Sequence, residues 1–246
     1  MAMNVPVLVY TCDEYAWCLK PFLYLFDTYF STDQLLIIGG CKPTFQATNV
    51  IWLDVESRTK ERWSDGLIDC LNKIHEDFFV LMLEDFWICR TIDHQAVGSL
   101  ADYMAMNSDI FKIDLTADRL CSGQAKDIGC WGRFDLIETS WDTQYQWSLQ
   151  SALWNKKHLL DNLRQELSPW GFELQDKRLP NLHILGTRQW PLRYVNGVGM
   201  QLDARYKYRT IHTRNGVGGQ TTEQIPKEHV DIMLANGILP PGGYFG

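Results

Sequence analysis

Short apolar runs alternate with helix-like stretches through residues 1–115, and this alternation is the strongest constraint on the fold. Apolar runs of strand length occupy residues 5–10, 34–38, 49–53, 78–83 and 110–115. Between them, residues 15–30, 61–74 and 93–106 have the apolar character and spacing of helices. Strands that alternate with helices predict a mostly parallel α/β sheet with helices on both faces.

The pattern is weaker over residues 116–246. Residues 116–145 are rich in Gly, Asp and Trp without a clear period, so we expect an irregular segment there. We predict a strand at 146–154, then a helix at 156–167 that Asn155 caps and that ends at residues 168–171. Further strands are predicted at 183–185, 192–195 and 206–212, and a last helix at 228–235. No repeat or linker interrupts the chain, which predicts a single domain over residues 1–246.

Acidic residues follow several of the predicted strands. Asp13 comes shortly after the first strand, Asp54 after the third, Glu84 and Asp85 after the fourth, and Asp114 lies at the end of the fifth. In open parallel sheets, ligands bind beyond the carboxyl ends of the strands. We therefore expect these carboxylates to point into one crevice.

The segment FFVLMLEDFW at residues 78–87 is the most informative part of the sequence. A continuous apolar strand that ends in two adjacent acids places charges at the edge of the core, where burial is costly unless a cation or donors offset it. A hard divalent ion such as Mg²⁺ or Mn²⁺, bound by carboxylates and substrate phosphates, meets that need. The alternative is a turn with solvated acids, and the pattern alone leaves both open.

Composition excludes several classes of protein. The seven cysteines are scattered and never spaced as C-x-x-C, which argues against a disulfide framework or a zinc ribbon and favours the cytoplasm. No signal peptide is evident and no apolar run is long enough to span a membrane. The sequence contains no G-x-G-x-x-G, P-loop or G-x-S-x-G motif, so dinucleotide, P-loop and serine-hydrolase functions lack support. The net charge of −7 is concentrated as acidity in residues 1–154, whereas residues 155–246 are mildly basic.

The order of elements, with LEDFW at 83–87 ending the fourth strand, resembles the GT-A fold of nucleotide-sugar glycosyltransferases, which carry an acidic D-x-D or x-E-D motif there. The segments RWSDGL at 62–67, WSLQSALW at 147–154 and SPWGFE at 168–173 extend the resemblance to a group of bacterial and phage glycosyltransferase-like proteins. The match runs from about residue 5 to residue 175. It implies a nucleotide-sugar-binding half at 1–115 and a less regular acceptor-side half at 116–246.

The resemblance also implies a metal site. Asp85 would hold Mn²⁺ or Mg²⁺, and Glu84 would contact the donor ribose or a metal-bound water. A full D-x-D motif would place a second acid at position 87, where this chain has Trp87. The second ligand would then come from later in the chain, with His212 and His183 as the possibilities, or the metal would be absent.

Further donor contacts follow from the same resemblance. Thr11, Cys12 and Asp13 would contact the nucleobase and ribose after the first strand. Arg62 and Ser64 would lie near the diphosphate at a helix start, where free N–H groups favour anions. The alternative for Ser64 is ordinary helix capping.

Glu173 is the predicted proton acceptor of an inverting sugar transfer, in which one carboxylate takes the proton of the acceptor hydroxyl. Phe172 and Trp170 beside it would form an apolar wall, and Trp170 would stack on a sugar ring. Gln150 and Trp154 are further predicted acceptor contacts.

Two acceptors and two other functions remain open at this point. The acceptor is either a surface or lipopolysaccharide glycan or a hydroxymethylated base of phage DNA, for which RYKYR at 205–209 and Arg214 offer cations and aromatic rings. A nucleotidyltransferase would share the sheet and the acids, but it would carry a Gly-rich basic loop where this chain reads TCDEY at 11–15. A non-catalytic carbohydrate- or nucleotide-binding protein with a GT-A-like shell is the third class.

Overall fold

The structure is a computed structural model that describes most of the chain. The described residues are 3–30, 34–41, 45, 47–121, 124–143, 145–197, 201–202, 208–212 and 221–239, with the backbone alone at 201–202, 208–212 and 221–224. The basic residues predicted to face DNA at 205–207, and Arg214, lie outside the described residues. The side chains of Tyr208, Arg209 and His212 lie outside them too.

The first half contains six strands and three long helices, joined in places by short 3-10 turns. The strands are β1 (Val7–Tyr10), β2 (Leu36–Gly39), β3 (Val50–Trp52), β4 (Phe78–Met82), β5 (Phe86–Ile88) and β6 (Ile110–Asp114). The helices are α1 (Leu19–Tyr29), α2 (Trp63–Lys73) and α3 (His94–Met106), and 3-10 helices occupy Asp13–Cys18 and Lys60–Arg62. Helix α3 begins where the predicted pattern begins, because the Asp93 carboxylate caps it by accepting from Ala96 N at 3.0 Å.

The second half is more regular than its sequence indicates. Its helices are α4 (Asp118–Cys121), α5 (Lys156–Asn162), α6 (Pro169–Glu173) and α7 (Lys227–Ala235). Its strands are β7 (Lys126–Trp131), β8 (Phe134–Glu138), β9 (Ala152–Asn155), β10 (His183–Thr187), β11 (Tyr194–Asn196), β12 (Gln201–Leu202), β13 (Tyr208–His212) and β14 (Thr221–Gln224).

One nine-stranded sheet crosses both halves, in the order β3-β2-β1-β4-β9-β6-β10-β8-β7. All of its strands run in the same direction except β8 and β9, which pair antiparallel with their neighbours. The described residues form two smaller sheets as well, β11-β5 and β12-β13-β14. The predicted α/β class with a mostly parallel sheet is confirmed.

The central strands are buried on both faces, which explains their continuous apolar character. In β1, Val7 and Val9 pack in a core with α1 and α3, whereas Leu8 and Tyr10 pack in a second core with α2, α5 and α6. The molecule is therefore a three-layer arrangement in which the helices cover both faces of the sheet, as predicted.

Three predictions for the second half were wrong. Residues 116–145 are not irregular, because β7 and β8 form a hairpin. The predicted strand at 146–154 shortens to β9, because side chains bind the backbone before it: the Lys112 ammonium donates to Ser148 O at 2.8 Å, and Leu149 N donates to the Glu173 carboxylate at 2.9 Å. The helix predicted to continue to 167 ends at Asn162, and Ser168 starts α6 by accepting from Gly171 N at 3.0 Å.

Candidate functional site

The sheet reverses its direction of growth between β1 and β4. From β1 the chain adds β2 and β3 on one side, and then crosses back to add β4 on the other. Such a reversal leaves a crevice beyond the carboxyl ends of the two strands, where open α/β sheets bind ligands. Thr11 follows β1 into this crevice and Glu84 follows β4, and the Thr11 hydroxyl donates a hydrogen bond to the Glu84 carboxylate.

Glu84, which is buried, and Asp85, which is partly buried, form an acidic pair at this point. Glu84 is 8% exposed, and its burial, together with the charge of Asp85, raises its pKa from 4.5 to about 8. Burial also raises the pKa of Asp85 from 3.8 to about 6. Both shifts mean that the folded protein resists placing two negative charges here.

Nothing in the described part of the chain neutralises this pair. Among the described residues, no Lys or Arg forms an ion pair with Glu84 or Asp85. The same residues contain no group of three or more His, Cys, Asp and Glu side chains able to hold a metal ion. The chemistry of the pair fits a hard divalent cation whose remaining ligands are water, substrate oxygens or side chains outside the described residues.

Asn196 is a polar partner of Asp85, whereas position 87, where a second acid was sought, carries Trp87. Strand β5 begins directly after Asp85 and pairs antiparallel with β11, which places Asn196 opposite Phe86. The Asn196 side chain donates to the Asp85 carboxylate and lowers its pKa, against the larger effect of burial. Asn196 was not predicted, because the strand that carries it lies more than a hundred residues further along the chain.

Trp87 has a structural part in this site. Its side chain is 1% exposed, and its indole N–H donates to Glu84 O at 3.2 Å. A Cβ added at Gly197 would lie 2.5 Å from the Trp87 ring, so only glycine allows this approach. Gly197 N in turn donates to Asp85 O at 2.6 Å, so Trp87 and Gly197 fix the backbone that carries both acids.

The buried Tyr194 lies within electrostatic range of both Asp85 and Glu173. Tyr194 is 3% exposed, and its hydroxyl donates to the side-chain oxygen of Gln150. Burial raises the pKa of Tyr194 well above 10.0, and the charges of Asp85, Asp118 and Glu173 raise it further. Asp85 and Glu173, predicted from separate motifs, thus both lie near one tyrosine.

The segment after β1 forms the other wall of the crevice. Cys12 is buried, and burial raises the pKa of its thiol, with a further contribution from the charge of Glu84. Asp13 is exposed, and its N–H donates to Ser57 Oγ at 3.0 Å. Gly40 closes the wall with φ of 90°, and a Cβ there would lie 2.0 Å from Thr11 O. The structure therefore brings the predicted donor residues at 11–13 close to the predicted acid at 84.

The predicted diphosphate contacts have structural partners instead. Ser64 is fully buried, its Oγ accepts from Leu167 N at 2.9 Å, and its N–H donates to Leu167 O at 3.0 Å. The Arg62 guanidinium binds the Asp65 carboxylate, which also accepts from Glu166 N at 3.0 Å. The prediction for Ser64 was wrong, because the segment at 166–167 already occupies this N–H group and hydroxyl of α2. Arg62 keeps a half-exposed side chain beside it.

One predicted acceptor contact, Trp154, and one predicted crevice acid are placed elsewhere, whereas the acceptor contact of Trp170 stays a prediction. Trp154 is fully buried against Phe111 and Phe172, so its ring does not face an acceptor. Trp170 is 53% exposed on α6. Asp114 does not point into the crevice, because it is fully buried and paired with Lys112 and Arg119.

The remaining predicted residues are Asp54, His183 and His212. Asp54 is exposed, and its carbonyl accepts from the Lys73 ammonium. His183 lies at the start of β10 and binds the Glu138 carboxylate, so it is engaged away from the acidic pair. The backbone of His212 lies in β13, but its side chain is outside the described residues.

No known family model matches the sequence, and no curated protein matches it either. Solved structures with a similar fold include a CMP:2-keto-3-deoxy-manno-octonic acid synthetase complexed with CTP, at 10% identity and a TM-score of 0.43, over 78% of this chain and 93% of that one. They also include TarS of S. aureus, at 13% identity and a TM-score of 0.41, over 75% of this chain and 35% of that one. A third is the bifunctional glycosyltransferase WbbM, at 12% identity and a TM-score of 0.38, over 65% of this chain and 33% of that one.

These neighbours include both a glycosyltransferase and a nucleotide-dependent synthetase. At TM-scores below 0.5 they do not favour one activity over the other for this chain. Within the described residues, no helix is long and apolar enough to cross a membrane.

Proposed function

We propose that the chain is a metal-assisted glycosyltransferase that moves a sugar from a nucleotide-sugar donor to an acceptor hydroxyl. The observation that carries the proposal is the acidic pair of Glu84, which is buried, and Asp85, which is partly buried. It lies at the crevice between β1 and β4, has no cationic partner among the described residues, and resists ionisation with pKa values of about 8 and 6. A site of this kind is best satisfied by a ligand that brings positive charge with it.

Asp85 would bind a Mn²⁺ or Mg²⁺ ion, which would neutralise the charge of the departing nucleoside diphosphate. Asn196 orients the Asp85 carboxylate. Glu84 would contact either the donor ribose or a water molecule bound to the metal. Thr11, Cys12 and Asp13 would contact the nucleobase and ribose from the opposite wall. His212 remains a proposed further ligand.

Glu173 would serve as the base of an inverting transfer. The acceptor oxygen would attack the anomeric carbon, the bond from that carbon to the diphosphate oxygen would break, and the hydroxyl proton would pass to Glu173. The Leu149 N–H, 2.9 Å from Glu173 Oε1, fixes the carboxylate without neutralising it. The charges of Glu173 and Asp85 both act on Tyr194, which supports placing the acceptor and the donor near each other.

The segment after β1 favours sugar transfer over nucleotidyl transfer. A nucleotidyltransferase must hold a nucleoside triphosphate, which requires donors and positive charge close to the first strand. Here the chain turns into the 3-10 helix Asp13–Cys18, whose first turn carries Asp13 and Glu14, both exposed. Lys20 is the first basic residue after β1. Two carboxylates at this position repel a triphosphate and tolerate a base and ribose.

The proposal is tested by measuring nucleotide binding in three proteins. Isothermal titration calorimetry measures the binding of UDP, GDP, CDP and ADP to wild type, Asp85→Asn and Asp54→Asn. Each titration is run without Mn²⁺ and with about 5 mM Mn²⁺, an excess that saturates the metal site. We expect one of these diphosphates to bind wild type only in the presence of Mn²⁺. Asp54→Asn is the control and is expected to bind like wild type, because Asp54 is an exposed acid that follows a neighbouring strand. Asp85→Asn is expected to lose at least tenfold in affinity, on the order of 1.4 kcal/mol.

Product analysis then separates the three classes of function. Slow release of free sugar and nucleoside diphosphate from a nucleotide sugar supports the transferase. Release of pyrophosphate from a nucleoside triphosphate would instead make the chain a nucleotidyltransferase. Nucleotide or sugar binding that Asp85→Asn leaves intact, without turnover, would make it a binding protein.

A further inference from the structure

Two adjoining cavities lie beside Glu173, and we refer to them together as the lateral cleft. The first has a volume of about 360 Å³ and is lined by Tyr145, Glu173 and Trp141, among others. The second has a volume of about 820 Å³ and extends to His183. Trp141 and Arg178 line both, so the cleft runs continuously from the proposed base towards β10.

Tyr145 projects into this cleft from a strained backbone. Its φ is 58°, a left-handed conformation that aromatic residues adopt rarely and at a cost in free energy. Its side chain is 38% exposed, so part of this large aromatic ring is open to a ligand. A strained residue persists only where its surroundings hold it, and such residues cluster at ligand sites.

A buried arginine holds Tyr145 in this conformation. Arg119 is 1% exposed, and its guanidinium donates to Tyr145 O at 2.9 Å and to Gln146 Oε1 at 2.9 Å. It also donates to Thr139 Oγ1 at 2.8 Å and pairs with Asp114. Placing a guanidinium inside the protein is costly unless every donor is used. Here several of those donors fix one surface turn, which holds the backbone from which the Tyr145 ring projects.

The charges of the lateral cleft are nearly balanced. Three cationic side chains face four carboxylates along its walls: Lys126, Lys177 and Arg178, against Glu138, Asp142, Glu173 and Asp176. Arg178 is already paired with Asp142. Nucleic acids bind through an excess of positive charge that displaces counterions from the phosphates. The cleft has no such excess, but it offers the aromatic ring and mixed donors and acceptors that bind uncharged sugars.

We propose that the lateral cleft binds an uncharged oligosaccharide acceptor, with one sugar ring stacked on Tyr145 beside Glu173 and further sugar units extending towards His183. The volume of the second cavity lies high in the range of small-molecule sites, which favours several sugar units over one nucleoside. The proposal rests on the proposed function only for the role of Glu173. The binding of sugar to Tyr145 is testable without any donor.

The experiment measures binding of neutral oligosaccharides of one to six sugar units, arrayed on a surface, with a 20-nucleotide single-stranded DNA as the competing probe. We expect wild type to bind at least one oligosaccharide of two or more units, and the DNA not to bind. Tyr145→Phe keeps the ring and is expected to bind like wild type. Tyr145→Asn tolerates the left-handed backbone without a ring, and is expected to lose about three- to tenfold in affinity.

Ile128→Ala is the matched control, because Ile128 is 44% exposed on the neighbouring hairpin and does not line the cleft. Thermal unfolding of every variant verifies that the turn is folded. The proposal is overturned if no neutral oligosaccharide binds wild type, if Tyr145→Asn binds as wild type does, or if the DNA binds through Tyr145. A failure of the proposed function appears separately, as the absence of Mn²⁺-dependent nucleotide binding in a protein that still binds sugar.

Discussion

Replacing Glu84 by Gln is expected to stabilise the protein at alkaline pH, and the structure sets the size of the effect. The folded-state pKa of Glu84 is about 8, whereas the model value for the free side chain is 4.5. The folded state therefore holds the proton more tightly than the unfolded chain, and wild type loses stability as the pH rises from about 4.5 to 8. The difference is about 1 kcal/mol at pH 5 and about 4 kcal/mol at pH 8, at 1.36 kcal/mol per pKa unit.

Glutamine has the shape of glutamate but no charge, so Glu84→Gln does not lose stability in this way as the pH rises. Thermal unfolding followed by circular dichroism is expected to place its midpoint about 8–16 °C above wild type at pH 8, and only slightly above it at pH 5. Glu56→Gln is the control: the Glu56 side chain is 82% exposed, and its removal is expected to change stability by less than about 0.5 kcal/mol at either pH. Addition of Mn²⁺ with the bound nucleotide is expected to narrow the gap, because the wild-type pair then binds a cation. A Glu84→Gln protein that is no more stable at pH 8 than wild type, or whose advantage is the same at both pH values, would refute the assignment of Glu84 as a buried acid without a cationic partner.

Three further substitutions separate chemistry from structure. Glu173→Gln keeps an oxygen for the Leu149 N–H and removes the base, so kcat for sugar transfer is expected to fall about 10²- to 10⁴-fold with donor affinity unchanged, and an unchanged kcat would exclude Glu173 from proton transfer. Ser64→Ala leaves the Leu167 N–H without its acceptor, so the free energy of unfolding measured in urea is expected to fall by about 1–3 kcal/mol, with the affinity for the donor unchanged in a calorimetric titration. A variant of full stability that binds the donor more weakly would instead support the predicted contact of Ser64 with the diphosphate. Gly40→Ala places a methyl group 2.0 Å from Thr11 O at φ of 90°, so a loss of more than about 2 kcal/mol is expected, and wild-type stability would show that the wall of the crevice yields easily.

The sequence predicted the elements whose burial pattern is visible within the element itself. The alternation through β1, α1, β2 and β4 is local, because each strand buries both faces and each helix buries one. Strand β9 is different: it inserts antiparallel between β4 and β6, and its pairing partners lie about forty to seventy residues earlier. No local period encodes such a pairing. The β7–β8 hairpin was missed for another reason, since β7 is exposed along most of its length and carries no apolar alternation.

The candidate site divides in the same way. Glu84 and Asp85 were identified because a buried apolar strand that ends in acids is visible in the sequence itself. Asn196 and Tyr194 reach the same place from β11, and nothing in their local sequence indicates this. Ser64 illustrates the opposite error. A hydroxyl at a helix start serves equally well as an anion contact or as a partner for another loop, and only the position of the segment at 166–167 decides between them.

Trp87 occupies the position at which a D-x-D motif would carry its second acid. A carboxylate at position 87 would lie in β5, where the side chain is buried against Gly197 and is 1% exposed. A charge there would be desolvated without reaching the crevice, so the residue suits packing and not ligation. The indole instead holds Glu84 O, and the β11 strand that packs on it delivers Asn196 to the Asp85 carboxylate. A neutral amide in that place adds a polar contact without adding a third negative charge to a pair that already resists ionisation. If Asp85 binds a cation as proposed, Asn196 therefore orients its carboxylate without competing for the charge of that cation.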